Sequence, residues 1–396
     1  MLRKTRLFTP GPTPLLPAAQ FAMAAADMHH RTPEFRSLYS RVLQQLKEFI
    51  GTKNDVVLLT ASGTGAMEAA FSNLTSPGDR VLVLSAGKFG ERWTALANTF
   101  GCVPVVVSAS YGQTFNPDEI RKHLDGNILA VFMQATETST GVRHDVAPVA
   151  ALLRGADALL VVDAITGLGT TRLDVDALGI DLIIGGSQKA LMVPPGLAYC
   201  AVSERAWKRM ESARQARYYF DLAKERKAAA KGEASYTPAV ALVAALGAAL
   251  DFLASQADGS VAAARDQLIH NAETCASMMR AAAQAIGFEL FAPTSPASAV
   301  TAIKAPPRQT STQIVKALRE QFGAIVADGQ GEMKGTLFRV AHLGYFDYLD
   351  IIALIGALEQ VTVALHVSKK FELADGLRAA QREYAKLTSG AELVTA

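Results

Sequence analysis

Apolar residues dominate six stretches of strand length in the first half of the chain: VVLLTA (56–61), RVLVLSA (80–86), VPVVVSA (103–109), ILAVFMQA (128–135), ALLVVDA (158–164) and LIIGGSQ (182–188). They show no period-two alternation of apolar and polar positions, so they read as strands buried on both faces. Helical patterns lie between them, for example Ala66 to Leu74, Arg92 to Phe100 and Asp118 to Leu124. The last is opened by Asn116 as cap and Pro117 as first-turn residue. Strands alternating with helices, with turn residues between them, predict an α/β domain built on a mostly parallel sheet.

From Thr237 the pattern becomes helical, through AVALVAALGAALDFLA and then VAAARDQLIHNAETCASMMRAAAQAIG. A segment at 297–305, a helix over 311–322 and TLFRVAHLG (336–344) suggest a small α+β unit, followed by a long helix from Tyr348 to Leu365. The charged tail from Val367 adds one more surface helix. The expected organisation is an N-terminal arm (1–15), a large α/β domain (16–255) and a smaller α+β domain (256–396), divided around Ala254 to Gly259. No internal repeat is visible, and the abundant alanine is helix-forming composition.

The chain has 396 residues, enough for two or three domains with full-sized cores. Its formal charge of +2 supplies none of the sustained positive field that nucleic acid or an anionic membrane requires, so the expected partner is a small molecule. Cys102, Cys200 and Cys275 are far apart and form no C-x-x-C pair, which argues against a disulfide framework or a zinc site and for a reducing cytoplasm. The basic opening lacks an apolar targeting core, and Pro10, Pro12 and Pro14 interrupt any helix there. The stretch from Val240 to Ala254 is shorter than the roughly 18 apolar residues of a membrane span. A soluble, unprocessed protein is expected.

Two residues stand where open α/β sheets present ligand groups, at the carboxyl ends of strands. Asp163 ends ALLVVDA, and Lys189 follows the next strand in IIGGSQKALMVPPG. A buried acid can hold a cation, and a lysine with a lowered pKa can act as an amine nucleophile. Pyridoxal phosphate needs such a pair: a carboxylate to keep its ring nitrogen protonated and a lysine to hold its aldehyde as a Schiff base. Taken singly, Asp163 reads equally as a turn cap and Lys189 as a surface lysine. Ser62-Gly63-Thr64-Gly65 lies directly between a strand and the helix AMEAAF, a setting that presents free N–H groups to an anion such as phosphate. It matches neither G-x-G-x-x-G nor G-x-x-x-x-G-K-[ST], and a simple tight turn explains it as well.

Together these motifs resemble the class V aminotransferases of the alanine- or serine-glyoxylate (or serine-pyruvate) type, within the fold-type I pyridoxal-phosphate enzymes. The resemblance runs through TPGPTP (9–14), HRTPEF (30–35), SGTGAMEAA (62–70), GKFGERW (87–93), ETSTGV (137–142), VVDAITGLG (161–169), GGSQKALMVPPG (185–196), YTPAV (236–240) and FRVAHLG (338–344). It implies an aspartate aminotransferase-like fold with pyridoxal 5'-phosphate as cofactor. Lys189 matches the Schiff-base lysine that later moves the proton between the substrate Cα and the cofactor. Asp163 matches the pyridinium partner and Ile165 the aliphatic residue on one ring face. Phe89 falls at the aromatic position on the other face, with ordinary core packing, or stacking by Trp93 instead, as its alternatives. Thr138 and Gln188 match polar contacts to the cofactor, and Ser62, Gly63, Thr64 and Gly65 match its phosphate cradle.

Thr237 matches a residue that reaches the phosphate of the other subunit's cofactor, so the resemblance implies a homodimer with active sites at the subunit interface. Arg339 matches the arginine that grips the substrate α-carboxylate, for which a planar guanidinium is suited; a solvated edge arginine is the plain alternative. Gly11 belongs to the substrate-facing loops, with His30 and the Val193-Pro194-Pro195 turn. His30 and His342 stand alone, without metal-ligand spacing, and no metal site is expected.

The implied activity is transfer of an amino group from a small amino acid, alanine or serine, to a small 2-oxo acid, glyoxylate or pyruvate, in a ping-pong cycle. Ureidoglycine and aminoethylphosphonate aminotransferases, lyases and cysteine desulfurases share the family resemblance. Relatives labelled as subunits of redox complexes add a non-catalytic alternative. Desulfurases place a histidine over the ring and a mobile cysteine in the small domain, whereas here Phe89 takes the ring position and Cys275 lies in a helical pattern.

Overall fold

The computed structural model describes residues 3–366 and 371–388. Seven strands form the central sheet: β1 (Asp55–Leu59), β2 (Arg80–Ser85), β3 (Val103–Ser108), β4 (Ile128–Gln134), β5 (Leu159–Asp163), β6 (Leu182–Gly186) and β7 (Ala198–Val202). Their order is β1-β7-β6-β5-β4-β2-β3, and only β7 runs antiparallel to its neighbours. The pleat sorts alternate residues of each strand into two cores. Leu160 and Val162 of β5 join Ile183 of β6 on one face, while Leu159, Val161, Leu182 and Ile184 join the core on the other.

Helices cover both faces, as strands buried on both sides require. Helix Pro33–Ile50 starts at Thr32, whose hydroxyl accepts from Phe35 N–H, and stops at Gly51 with φ 76°. It buries Phe35, Tyr39, Val42, Leu46 and Phe49, the three-and-four spacing of one helical face, beside Val243, Leu246 and Leu250 of helix Val240–Ser255. The second face is covered by helices Gly63–Leu74, Lys88–Thr99 and Glu204–Ser212. Asn116 caps helix Pro117–His123 through Asp118 N–H, as the sequence predicts.

Strand β7 is absent from the sequence expectation. It follows a Pro-Pro-Gly loop that turns the chain back along β6, with Ser187 N–H donating to the Leu197 carbonyl at 3.0 Å. Antiparallel neighbours need only a short connection, so the strand has no helix before it to mark it.

In the C-terminal third, β8 (Val300–Lys304), β9 (Ala327–Asp328) and β10 (Leu337–Ala341) form an antiparallel sheet in the order β8-β10-β9. It shares a third core with helices Val261–Ile286 and Tyr348–Ala364, and Phe8 from the amino-terminal arm inserts there. The expected helix over 311–322 is α-helical over Ser311–Ala317 and continues as a π-helical turn over Leu318–Phe322. Of the expected tail helix, Asp375–Thr388 is described, and Val367 lies outside the described residues. Among the described residues, no helix is long and apolar enough to cross a membrane.

Candidate active site

The carboxyl ends of β5 and β6 set the two central groups. Asp163, the last residue of β5, is buried, and its Oδ1 accepts from Ile165 N–H at 2.9 Å. Beyond β6 the chain closes a tight loop in which Val193 N–H reaches the Ser187 carbonyl at 3.1 Å and Ser187 Oγ donates to the Pro194 carbonyl at 2.7 Å. This loop holds Lys189, which is buried like Asp163. The amino-terminal arm straps it down: Thr13 N–H donates to the Gln188 carbonyl at 3.2 Å and Thr13 Oγ1 to the Lys189 carbonyl at 3.0 Å. Lys189 Nζ donates to the Pro10 carbonyl. Gly11 lies directly on the amine at φ +148°, where a Cβ would come within 2.5 Å of Nζ and 2.9 Å of Cε. A side chain there would displace the lysine.

Burial drives the electrostatics. It lowers the Lys189 amine to about 8, with Asp163 opposing the shift and Arg339 adding to it. Burial raises the Asp163 carboxyl to about 6; Ile165 N–H opposes this, Glu137 reinforces it, and Lys189 and Arg92 oppose it. Arg339, on β10, is lowered to about 10 by burial against the pull of Glu137 and Asp328, and stays charged at neutral pH. Its Nη1 donates to the Thr138 carbonyl at 3.2 Å and its Nη2 to the Asp328 carbonyl at 2.7 Å, while its buried Nε has no partner.

The remaining candidates surround this trio. Thr138 is buried and donates to Thr166 Oγ1 at 3.0 Å. Ile165 packs over Gly63, at the start of helix Gly63–Leu74. Ser62, the N-cap of that helix, is exposed and makes no side-chain capping bond, so the helix start stays open to a ligand. Arg92 Nη1 donates to Thr64 Oγ1 at 2.9 Å, and its guanidinium lies 4.8 Å from the half-buried Phe89 ring. Gln188 Oε1 is buried without a partner and faces Gly186.

Trp93 packs in the core, 5.1 Å from Phe132 and 5.7 Å from Phe71, away from the site. His30 is half-buried beside His29, and His342 is buried against Thr301, at 2.9 Å. Thr237 is exposed, and no hydrogen bond among the described residues ties it to Lys189 or Asp163. Sequence reasoning missed Pro10, Thr13, Arg92, Glu137 and Thr166. Arg92 and Glu137 sit inside the motifs GKFGERW and ETSTGV, and an acid next to Thr138 was the available signal for Glu137.

These groups fit pyridoxal phosphate: an amine of lowered basicity, a buried carboxylate, an uncapped helix start and two buried polar atoms without partners. Comparison with known proteins agrees. The family model for class-V aminotransferases matches residues 18–337. The soluble hydrogenase 42 kDa subunit of Anabaena cylindrica is 39% identical over 387 residues, covering 96% of this chain and 99% of its own. The L-aspartate–glyoxylate aminotransferase of Paracoccus denitrificans is 31% identical over 401 residues, covering 99% of both chains. Among solved structures, the alanine–glyoxylate aminotransferase of a Nostoc species superposes with a TM-score of 0.84 at 28% identity, over 91% of this chain and 96% of that one. The chain therefore belongs to the class-V aminotransferases and shares their fold-type I architecture and their cofactor, pyridoxal phosphate.

Proposed function

We propose that this enzyme transfers the amino group of a small amino acid, alanine or serine, to a small 2-oxo acid, glyoxylate or pyruvate. The observation that carries the reading is the placement of the Lys189 amine, lowered to about 8, between a buried acid and a buried arginine under a side-chain-free Gly11. Ser62, Gly63, Thr64 and Gly65 would hold the cofactor phosphate, Asp163 its ring nitrogen, Ile165 and Phe89 its two faces, and Thr138 and Gln188 its polar edge. When bound, pyridoxal phosphate supplies an electron sink conjugated to the donor Cα.

Lys189 does the proton transfer. Near pH 8 about half of the amine is neutral, and the neutral Nζ can take a proton from the donor Cα and pass it on toward the cofactor, and in the second half-reaction would carry a proton the opposite way, to the Cα of the acceptor. The Pro10 carbonyl accepts one Nζ–H and so orients the amine. Arg339 grips the donor carboxylate; its two Nη groups are already anchored by backbone carbonyls, and Nε–H remains as a free donor. The strap at Gly11–Thr13 screens the amine from water.

The enzyme is proposed to be a homodimer in the cytoplasm, with Thr237 reaching the partner's cofactor phosphate. Support comes from the exposure of Thr237 and of the nearby Tyr218, 77% accessible, and from three cysteines that are buried and free. A second reading, a subunit of a redox complex, is favoured by the 39% identity to the hydrogenase subunit. Lys189, Asp163 and Arg339 are all retained and brought together, which favours catalysis.

The test is half-reaction spectroscopy of the purified protein with alanine, serine and aspartate, followed by return with glyoxylate or pyruvate. Conversion by alanine or serine, abolished in Lys189→Ala, is expected. A protein that binds pyridoxal phosphate but is converted by no donor would favour the redox-complex reading, and conversion by aspartate alone would overturn the assignment of donor.

A further inference from the structure

Helix Lys88–Thr99 carries Phe89, yet its N-cap is Gly87, which has no side chain to satisfy the first-turn N–H groups. The cap comes from about 50 residues away in sequence. Lys88 N–H donates to Ser139 Oγ at 3.1 Å, while Phe89 N–H and Gly90 N–H donate to Glu137 Oε2 at 3.1 and 3.2 Å. Ser139 N–H and Oγ–H both donate to Glu137 Oε1, at 3.2 and 2.5 Å. Glu137 is wholly buried, and its carboxylate faces only donors. Gly87 makes room for it, because a Cβ there would come within 2.5 Å of Glu137 Cγ and 2.7 Å of Ser139 Oγ.

The residue between the two capping side chains is Thr138, whose carbonyl anchors Arg339 Nη1 and whose hydroxyl donates to Thr166. The segment is held in a tight turn, with Thr140 N–H and Gly141 N–H both donating to the Glu137 carbonyl at 3.2 and 2.9 Å. One short turn therefore grips the Phe89 helix on one side and the Arg339 guanidinium on the other.

We propose that Glu137 is a positioning residue: as the buried external cap of the Phe89 helix, one residue from the carbonyl that anchors Arg339, it sets the ring-stacking side chain and the carboxylate-binding guanidinium in a single frame. This rests on the roles proposed above for Phe89 and Arg339. A carboxylate suits the position because both of its oxygens accept and its charge complements the helix start. An amide does not. Glu137→Gln turns an NH2 toward a backbone N–H in either flip, since each oxygen faces at least one.

The test compares the wild-type holoenzyme with Glu137→Gln and Ser139→Ala by two readouts. Amide hydrogen exchange of the peptide covering residues 88–90 should accelerate about tenfold in Glu137→Gln and less in Ser139→Ala, as expected when capping bonds are lost. Half-reaction rates with alanine and with ethylamine, which lacks the carboxylate, should show the preference for alanine falling on the order of tenfold in Glu137→Gln, because Arg339 loses its alignment. A loss of overall stability alone would slow both amines alike. Unchanged exchange at 88–90, or an equal loss for both amines, overturns the proposal. Should Glu137→Gln fail to fold, Ser139→Ala carries the same two comparisons. Exchange needs no substrate, so it still decides the cap if the wild type reacts with neither amine, and the preference is then read with serine in place of alanine; a wild type converted by neither alanine nor serine overturns the functional reading instead.

Discussion

Lys189 is the residue on which the proposed chemistry turns, and its surroundings pull its basicity in opposite directions. Burial lowers the amine to about 8, Asp163 raises it and Arg339 lowers it. The amine is thus protonated below that value and neutral above it, whereas an ordinary lysine changes near pH 10.4. Acylation of Lys189 in the cofactor-free protein, followed by peptide mass spectrometry across pH, should show a midpoint near 8. Asp163→Asn should move that midpoint down and Arg339→Met should move it up, and a midpoint near that of ordinary lysines would contradict the electrostatic picture. Asp163 was marked in the sequence by ending an apolar strand run and Lys189 by following the next one, whereas Arg339 was singled out through the family resemblance alone. Pro10 was not, since its contribution is a backbone carbonyl, and any residue could supply one. Arg92 was not either, because a charged residue in an amphipathic helix looks like a solvated one until the fold places it between Phe89 and Thr64.

Elements with their own periodicity and caps were legible in the same way, and those defined by a tertiary partner were not. The six sheet strands expected from sequence all form; β3, at the sheet edge, departs from the expected burial and leaves Val103 and Val106 exposed, whereas in the other five the uninterrupted apolar run reflects burial on both faces. Strand β7 has the same burial but arrives through a loop, not a helix. The tail helix shows the same limit from the other side. Its composition suggests a surface helix, yet its start is held by the buried Glu359, which accepts from Gly376 N–H at 2.7 Å, Leu377 N–H at 3.2 Å and Ala374 N–H at 2.9 Å. Gly376 packs so closely on Ile286 that a Cβ there would approach its Cδ1 to 2.8 Å. Replacing Glu359 by alanine leaves three N–H groups without their acceptor, at a cost of roughly 2–4 kcal/mol. The expected result is a lower thermal midpoint and faster amide exchange confined to 374–388, with half-reaction rates unchanged because Glu359 lies outside the Lys189 site. Exchange that accelerates evenly over the whole chain would show that the carboxylate does not hold this helix in particular.

At the scale of the molecule, groups that the fold buries in one protonation state govern how stability responds to acid. His342 and His144 are both buried, and burial pushes each down to about 3; Arg280 adds to the shift at His342. In the unfolded chain a histidine takes its proton near pH 6.5. Between about 6.5 and 3 the unfolded state therefore binds protons that the folded state does not, and stability falls as pH falls through that window. Asp163 acts in the opposite sense. Its carboxyl, raised to about 6, binds its proton more readily in the folded state, so it adds stability as pH drops from 6 toward the ordinary 3.8. The two effects overlap, and a wild-type profile alone does not separate them; a difference between variants does. His342→Gln keeps a partner for Thr301 and removes one titrating group, leaving Asp163 and His144 in place. It should be less stable than wild type at pH 7.5 because the buried site is repacked. From pH 7.5 to 5, however, it should lose about 2 kcal/mol less, the linkage expected for one histidine about 1.5 pH units below its unfolded pKa. Urea midpoints at the two pH values measure this directly, and parallel profiles for the two proteins would mean that His342 takes up its proton without unfolding.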